Sequence, residues 1–184
     1  QMAYTRMMMS FVLFHTTPRS LLILGLGGGS LAKYCHRHLP DARVLAVESN
    51  RQVLALRDAF AVPADDARFR VVEADAAAFV AATRDRFDVV LLDAFDRHGR
   101  APGLDDAAFY ARVRERLWPT GVLVANVAGS ASERADHLER LRSVWGDDVL
   151  ALASEEDDDD VVFAFADPTF EPRWRWIRDQ AGAL

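Results

Sequence analysis

The sequence predicts an α/β fold: a doubly wound, mostly parallel sheet closed by a terminal antiparallel hairpin. Three observations predict it. The stretch Leu21-Leu22-Ile23-Leu24-Gly25-Leu26-Gly27-Gly28-Gly29 runs from four apolar residues straight into glycines, the pattern of a buried strand entering a sharp turn. Apolar strand-like runs then alternate with amphipathic helical ones along most of the chain. Near the end, two strand patterns, Val149–Ala153 and 161–166, follow one another across the acidic connection 154–160 with no helix between them. That is a hairpin, so the last strand runs antiparallel to its neighbour.

The elements follow in order. Tyr4, Met7, Met8, Phe11, Val12 and Phe14 recur at helical spacing and give an amphipathic helix ending before Pro18. Its methionine-rich side reads as core or as a subunit interface. Strands are expected near 21–24, 43–48, 69–72, 87–92 and 120–126, and helices near 30–38, 51–60, 76–82, 105–117 and 131–144. Val89-Val90-Leu91-Leu92 is apolar throughout, as a central parallel strand covered on both faces should be. Ser130-Ala131-Ser132-Glu133 fits a capping box for the last of these helices. No internal repeat or linker interrupts the pattern, so residues 1–184 are read as one domain.

Composition narrows the function classes. With 184 residues, 51% hydrophobic and 27% charged, the chain can bury a sizeable core and reads as globular. A net charge of −6 counts against a nucleic-acid backbone as the main ligand and suits a neutral or cationic small molecule. Cys35 stands alone, which excludes an intrachain disulfide and favours a reducing, cytoplasmic setting. No apolar stretch approaches a membrane span and the start does not read as a secretory signal, so no membrane partner is expected. The chain opens at Gln1 and not at Met, as a piece of a longer gene product would.

Candidate site residues cluster where strands end. The turn built from Gly25, Gly27, Gly28 and Gly29 exposes backbone N–H groups at a helix N-terminus, which a nucleoside or phosphate can approach closely. Glu48 ends the second strand, where a carboxylate can accept both ribose hydroxyls of a nucleoside lying over the sheet edge. Asp75 follows the third strand and can accept from an adenine amino group while the N–H of Ala76 faces the ring; it can equally cap the helix 76–82, and the two roles are compatible. Asp93-Ala94-Phe95-Asp96 follows the all-apolar central strand at the topological switch point. There one carboxylate can take a proton from an attacking amine while the other holds a cationic substrate. The acidic run 155–160 reads as a solvated hairpin tip. The five histidines show no metal-ligand spacing and no nucleophile arrangement is supported, so no metal is expected.

Taken in order, these motifs resemble the spermidine synthase (polyamine aminopropyltransferase) family. Tyr4-Thr5-Arg6-Met7 resembles that family's Tyr-Gln/His-Glu-Met, residues 25–29 its Gly-Gly-Gly-Asp-Gly-Gly, and Asp93-Ala94-Phe95-Asp96 its Asp-Ser-x-Asp-Pro. Glu48 and Asp75 match its ribose-binding and adenine-neighbouring acids, and Pro168-Thr169-Phe170 resembles a Pro-Thr-Tyr-Pro segment. The resemblance implies a seven-stranded, Rossmann-like sheet of the class I methyltransferase type. It implies transfer of an aminopropyl group from decarboxylated S-adenosylmethionine to an amine, with methylthioadenosine left behind. Asp93 is then the base and part of the donor site, Asp96 the cation holder, and Tyr4 and Phe170 further substrate contacts. A homodimer is also implied, with the methionine-rich helix as one surface for it.

The departures are specific. The aspartate inside the family's glycine motif, which grips the donor's amine, falls on Gly28; Thr5 and Arg6 replace Gln/His and Glu; Arg97 replaces a proline, with His98 and Arg100 nearby; and Phe170 lacks the tyrosine's hydroxyl. The family's small N-terminal β-domain has no counterpart in these residues. Nucleoside-binding positions are kept while donor-amine and acceptor positions change. Alternative functions are therefore a methyltransferase using intact S-adenosylmethionine, with Gly28 leaving room for its carboxylate, and a catalytically inactive nucleoside-binding homologue. A nicotinamide dehydrogenase fits poorly, because its glycine fingerprint needs glycine where Ser30 stands.

Overall fold

The structure, a computed structural model, describes residues 3–96, 99–100, 103–154 and 159–169. Seven strands make one sheet: β1 (Ser20–Leu24), β2 (Arg43–Glu48), β3 (Phe69–Glu73), β4 (Phe87–Leu92), β7 (Leu117–Val127), β8 (Val149–Ala153) and β9 (Asp160–Phe165). Their order is β3-β2-β1-β4-β7-β9-β8. β1 to β4 and β7 are parallel, while β9 runs antiparallel to both β7 and β8. The predicted doubly wound sheet with its closing hairpin is therefore the observed one. A ribbon of two short strands, β5 (Phe95–Asp96) and β6 (Gly99–Arg100), stands apart from it.

Side-chain alternation sorts the central strands between two cores. Leu21 and Ile23, Val89 and Leu91, and Val122 and Val124 pack with Met8, Met9 and Phe11 and with Leu31, Ala32 and Cys35 of α2 (Ser30–His38). Leu22 and Leu24, Val90 and Leu92, and Leu123 and Ala125 pack on the other side. There they meet Val80 of α4 (Ala76–Ala82), Phe109, Tyr110 and Val113 of α5 (Ala107–Glu115), and Leu141 and Trp145 of α6 (Ala131–Trp145). Complete burial of each such leucine stabilises the fold by about 2 kcal/mol, which fixes the register of the sheet and so the places where its strands end.

The first helix, α1 (Ala3–Met9), continues as a 3-10 turn over Ser10–Leu13. Of the two roles open to its methionine-rich side, the structure assigns core: Met8 is 0% exposed and Met9 4%, both against this chain's own sheet. These side chains are not available to a second subunit. Burial pushes the Cys35 thiol up to about 12, so it behaves as an inert core residue. The capping box at Ser130 and Glu133 forms as read. His137 is a core histidine, hydrogen-bonded to the buried Tyr110 hydroxyl.

Three elements differ from expectation. The helix expected over 51–60 is α3 (Arg51–Ala55) only. Beyond it Ala61 takes a positive φ of 52° and Val62 N–H returns to the Arg57 carbonyl, while Lys33 and Arg57 bond the Phe60 and Pro63 carbonyls. Long-range polar contacts outweigh local helix propensity there. The helix expected over 105–117 begins only after Asp106, whose carboxylate caps Phe109 N–H at 2.6 Å, and its last expected residue, Leu117, already opens β7. The strand expected over 120–126 is longer, β7 reaching back across a register shift opposite β4.

Candidate functional site

Because β1 to β4 and β7 are parallel, their carboxyl ends lie along one edge, and the loops leaving them meet there. Backbone bonds carry the sheet past its strands: Gly25 N–H to Val47 O at 2.9 Å, Asp93 N–H to Leu24 O at 2.9 Å and Ala74 N–H to Glu48 O at 3.1 Å. Gly25 is required at this crossing. Its φ is 95°, and a Cβ there would stand 2.3 Å from the Asp93 carbonyl oxygen. Bringing two loops this close is what places Asp93 beside the glycine turn.

The result is a cavity of about 800 Å³ at the carboxyl edge. Tyr4, Gly25, Gly27, Gly28, Glu48, Asp75, Ala76 and Asp93, all candidates from sequence, line it together. Gly29 does not; it is the N-cap of α2, with a φ of 72°, and a Cβ on it would meet Val62. The side chain of Asp96 and all of Phe170 lie outside the described residues. Val53, Leu104 and the half-exposed Phe95 add apolar wall suited to a flat ring. Among the described lining residues there are three carboxylates and no lysine, arginine or histidine.

Glu48 does more than the sequence suggested. One oxygen accepts Leu26 N–H at 2.9 Å and the other Asn50 N–H at 2.8 Å, so the carboxylate ties the glycine turn to the loop after β2. Each oxygen keeps a further lone pair for a ribose hydroxyl. Glu48→Gln replaces one acceptor with an NH₂ and strands one loop N–H. Hydrogen exchange at Leu26 or Asn50 is then expected to quicken about tenfold, with the remaining sheet amides unchanged. Asp75 caps α4 through Ala78 N–H at 2.8 Å while still lining the cavity, so both of its proposed tasks are geometrically open.

Asp93 is held from two sides. The Tyr4 hydroxyl donates to its Oδ2 at 3.4 Å and the Asn126 amide to its Oδ1 at 3.1 Å. Burial, with the Asp93 charge adding to it, raises the Tyr4 phenol to about 12, so Tyr4 remains a donor at any physiological pH. Asn126, only 2% exposed near the end of β7, was not among the residues read from sequence. Its one signal is a polar side chain inside an otherwise apolar strand end.

The two ends of β9 lie at opposite edges of the sheet. The Pro168-Thr169 segment lies beyond the end of β9, past the Ala166 N–H bond to Gly121 O at the amino end of the sheet, so it stands opposite the cavity. The start of β9 lies instead at the carboxyl edge, where Asp160 pairs across from Val127, next to Asn126. Of the acidic run, residues 155–158 lie outside the described residues; Asp160 binds Arg134 at 3.1 Å, and the Asp159 charge adds to the rise of Tyr4. Among the described residues no group of three or more His, Cys, Asp or Glu is placed to hold a metal, and no helix is long and apolar enough to cross a membrane.

Comparison with known proteins fits this geometry. Residues 1–143 match the family model described as the spermine/spermidine synthase domain. The chain belongs to the spermine/spermidine synthase family. A polyamine aminopropyltransferase from Chromobacterium violaceum is 34% identical over 184 residues, which span all of this chain and 70% of that one. Solved structures show the fold alone. Human methyltransferase-like protein 13, solved with SAH, aligns over 100% of this chain and 91% of its own, with a TM-score of 0.86 at 22% identity. Spermidine synthase from Thermotoga maritima aligns over 94% of this chain and 62% of its own, with a TM-score of 0.73 at 20% identity. This member of the spermine/spermidine synthase family thus has the class I methyltransferase-type sheet expected of it.

Proposed function

We propose that this protein transfers an aminopropyl group from decarboxylated S-adenosylmethionine to a small amine, with Asp93 as the base. The observation that carries the reading is the composition of the cavity: Glu48, Asp75 and Asp93 converge with no described cationic side chain to oppose them. The donor carries a sulfonium and an ammonium and no carboxylate, so such a field favours it. Its adenosine would lie on the apolar wall, with the ribose at Glu48 and the adenine amine near Asp75. The amine nitrogen attacks the carbon next to sulfur and the carbon–sulfur bond breaks. Its electron pair returns to sulfur as neutral methylthioadenosine, and the amine's proton passes to Asp93. Positioning and proton removal are the enzyme's work in such a displacement. The test is an assay of purified protein with decarboxylated S-adenosylmethionine and a panel of mono-, di- and polyamines. Methylthioadenosine formation with at least one amine is expected; none with any amine overturns the proposal.

A second reading has its own support. At Gly28 nothing lies within 4 Å of where a Cβ would stand, so the position leaves space for the carboxylate of intact S-adenosylmethionine, and with it methyl transfer. Calorimetry with both donors separates the two. Aminopropyl transfer requires tighter binding of the decarboxylated donor, whereas preference for the intact one supports methyl transfer.

A further inference from the structure

Asn126 sits in the run from Val122 to Val127, every member of which is 2% exposed or less, and the other five are apolar. A carboxamide at that depth costs roughly 1–3 kcal/mol unless its groups are paired, so packing alone does not explain it. Its amide reaches forward from β7 to Oδ1 of Asp93, on the neighbouring strand end, while Tyr4 approaches Oδ2 from α1. Asp93 also anchors its own backbone through the bond to Leu24 O. The carboxylate is thereby fixed in rotation as well as in place.

We infer that Asn126 is a positioning residue for the transfer, locking Oδ1 of Asp93 so that Oδ2 is the oxygen turned to the attacking amine beside Tyr4. The inference rests on the proposed role of Asp93. A carboxylate free to rotate offers its basic lone pair to the amine only part of the time, and loss of alignment of this kind lowers turnover by ~10- to 100-fold. Asn126 is 2% exposed and does not line the cavity, so its replacement is expected to leave substrate contacts in place.

The test uses Asn126→Leu, which keeps the number and branching of side-chain heavy atoms and removes the donor, in wild-type and Asp93→Asn backgrounds. In the wild-type background kcat is expected to fall at least tenfold with KM for donor and amine within about threefold. In the Asp93→Asn background the second change is expected to add nothing, since both act through one carboxylate. An independent readout needs no turnover: the ¹³C resonance of the Asp93 carboxyl, assigned by its loss in Asp93→Asn, should titrate at higher pH in Asn126→Leu, because the ionised form has lost a donor. Should the assay find no aminopropyl transfer at all, the proposed reaction falls while this titration still decides the positioning role. An unchanged midpoint, or equal losses of kcat in both backgrounds, overturns the inference; a lowered melting temperature by itself marks Asn126 as structural only and does the same.

Discussion

Replacing Asp93 by asparagine is expected to lower kcat by roughly 10³-fold, the range that removal of a positioned general base produces. Asparagine keeps the shape and can still face Tyr4 and Asn126, so the loss isolates basicity from architecture. Affinity for methylthioadenosine, which carries no sulfonium charge, should change less than tenfold. The sign of the remaining pH dependence follows from the geometry. In the wild type the Tyr4 phenol is raised to about 12 by burial first and by the Asp93 charge second; the variant removes the charge but keeps the burial, so the phenol stays protonated and cannot substitute as base near neutrality. Asp93→Asn should therefore show no recovery of rate as pH rises from 7 to 9 beyond that given by deprotonation of the free amine. A variant that keeps more than a tenth of wild-type turnover removes Asp93 from the proposed role.

The second large effect concerns the crossing of two loops. Gly25→Ala is expected to destabilise the fold by roughly 3 kcal/mol, combining the cost of a left-handed backbone for a residue with Cβ with the cost of overpacking. The clash is with backbone, the carbonyl of Asp93 at 2.3 Å, so no side-chain rotation relieves it. The glycine turn and the Asp93 loop must instead move apart, and both line the cavity. The variant should show a melting temperature lower by several degrees and, where it still folds, nucleoside affinity reduced at least tenfold. Gly28→Ala provides the contrast: its Cβ meets nothing within 4 Å, so stability should change by less than about 1 kcal/mol. If both alanines behave alike, the close approach at Gly25 is not what holds the site together.

The parts of this fold that local chemistry determines were readable in advance. Leu21 to Leu24 and Val89 to Leu92 are apolar because both faces are covered, and Ser130 with Glu133 forms its box within a single turn. That Glu48, Asp75 and Asp93 line one cavity was legible because each ends a strand or follows one within two residues, and parallel strands carry such residues to one edge. What escaped depends on contacts between distant segments. The helix after Asn50 stops at Ala55 because Lys33, Arg57 and Asp65 stitch the following turns, and spacing alone cannot reveal that. Asn126 looks like a lapse in a strand until the register of β7 against β4 brings it to Asp93. The antiparallel direction of β9, which no local motif announces, sets Asp160 beside Val127 at the carboxyl end of the sheet and carries Pro168-Thr169 past its amino end.

Aminopropyl transfer at this edge requires an adenosine lying over it with its ribose at Glu48. Calorimetric titration of methylthioadenosine into wild-type protein and into Glu48→Ala tests it most directly. The account predicts saturable binding to one site in the wild type, weakened by about 10- to 100-fold in the variant, as loss of charge-assisted hydrogen bonds to the ribose would give. Absence of binding to the wild type, or equal affinity in the two proteins, would contradict it.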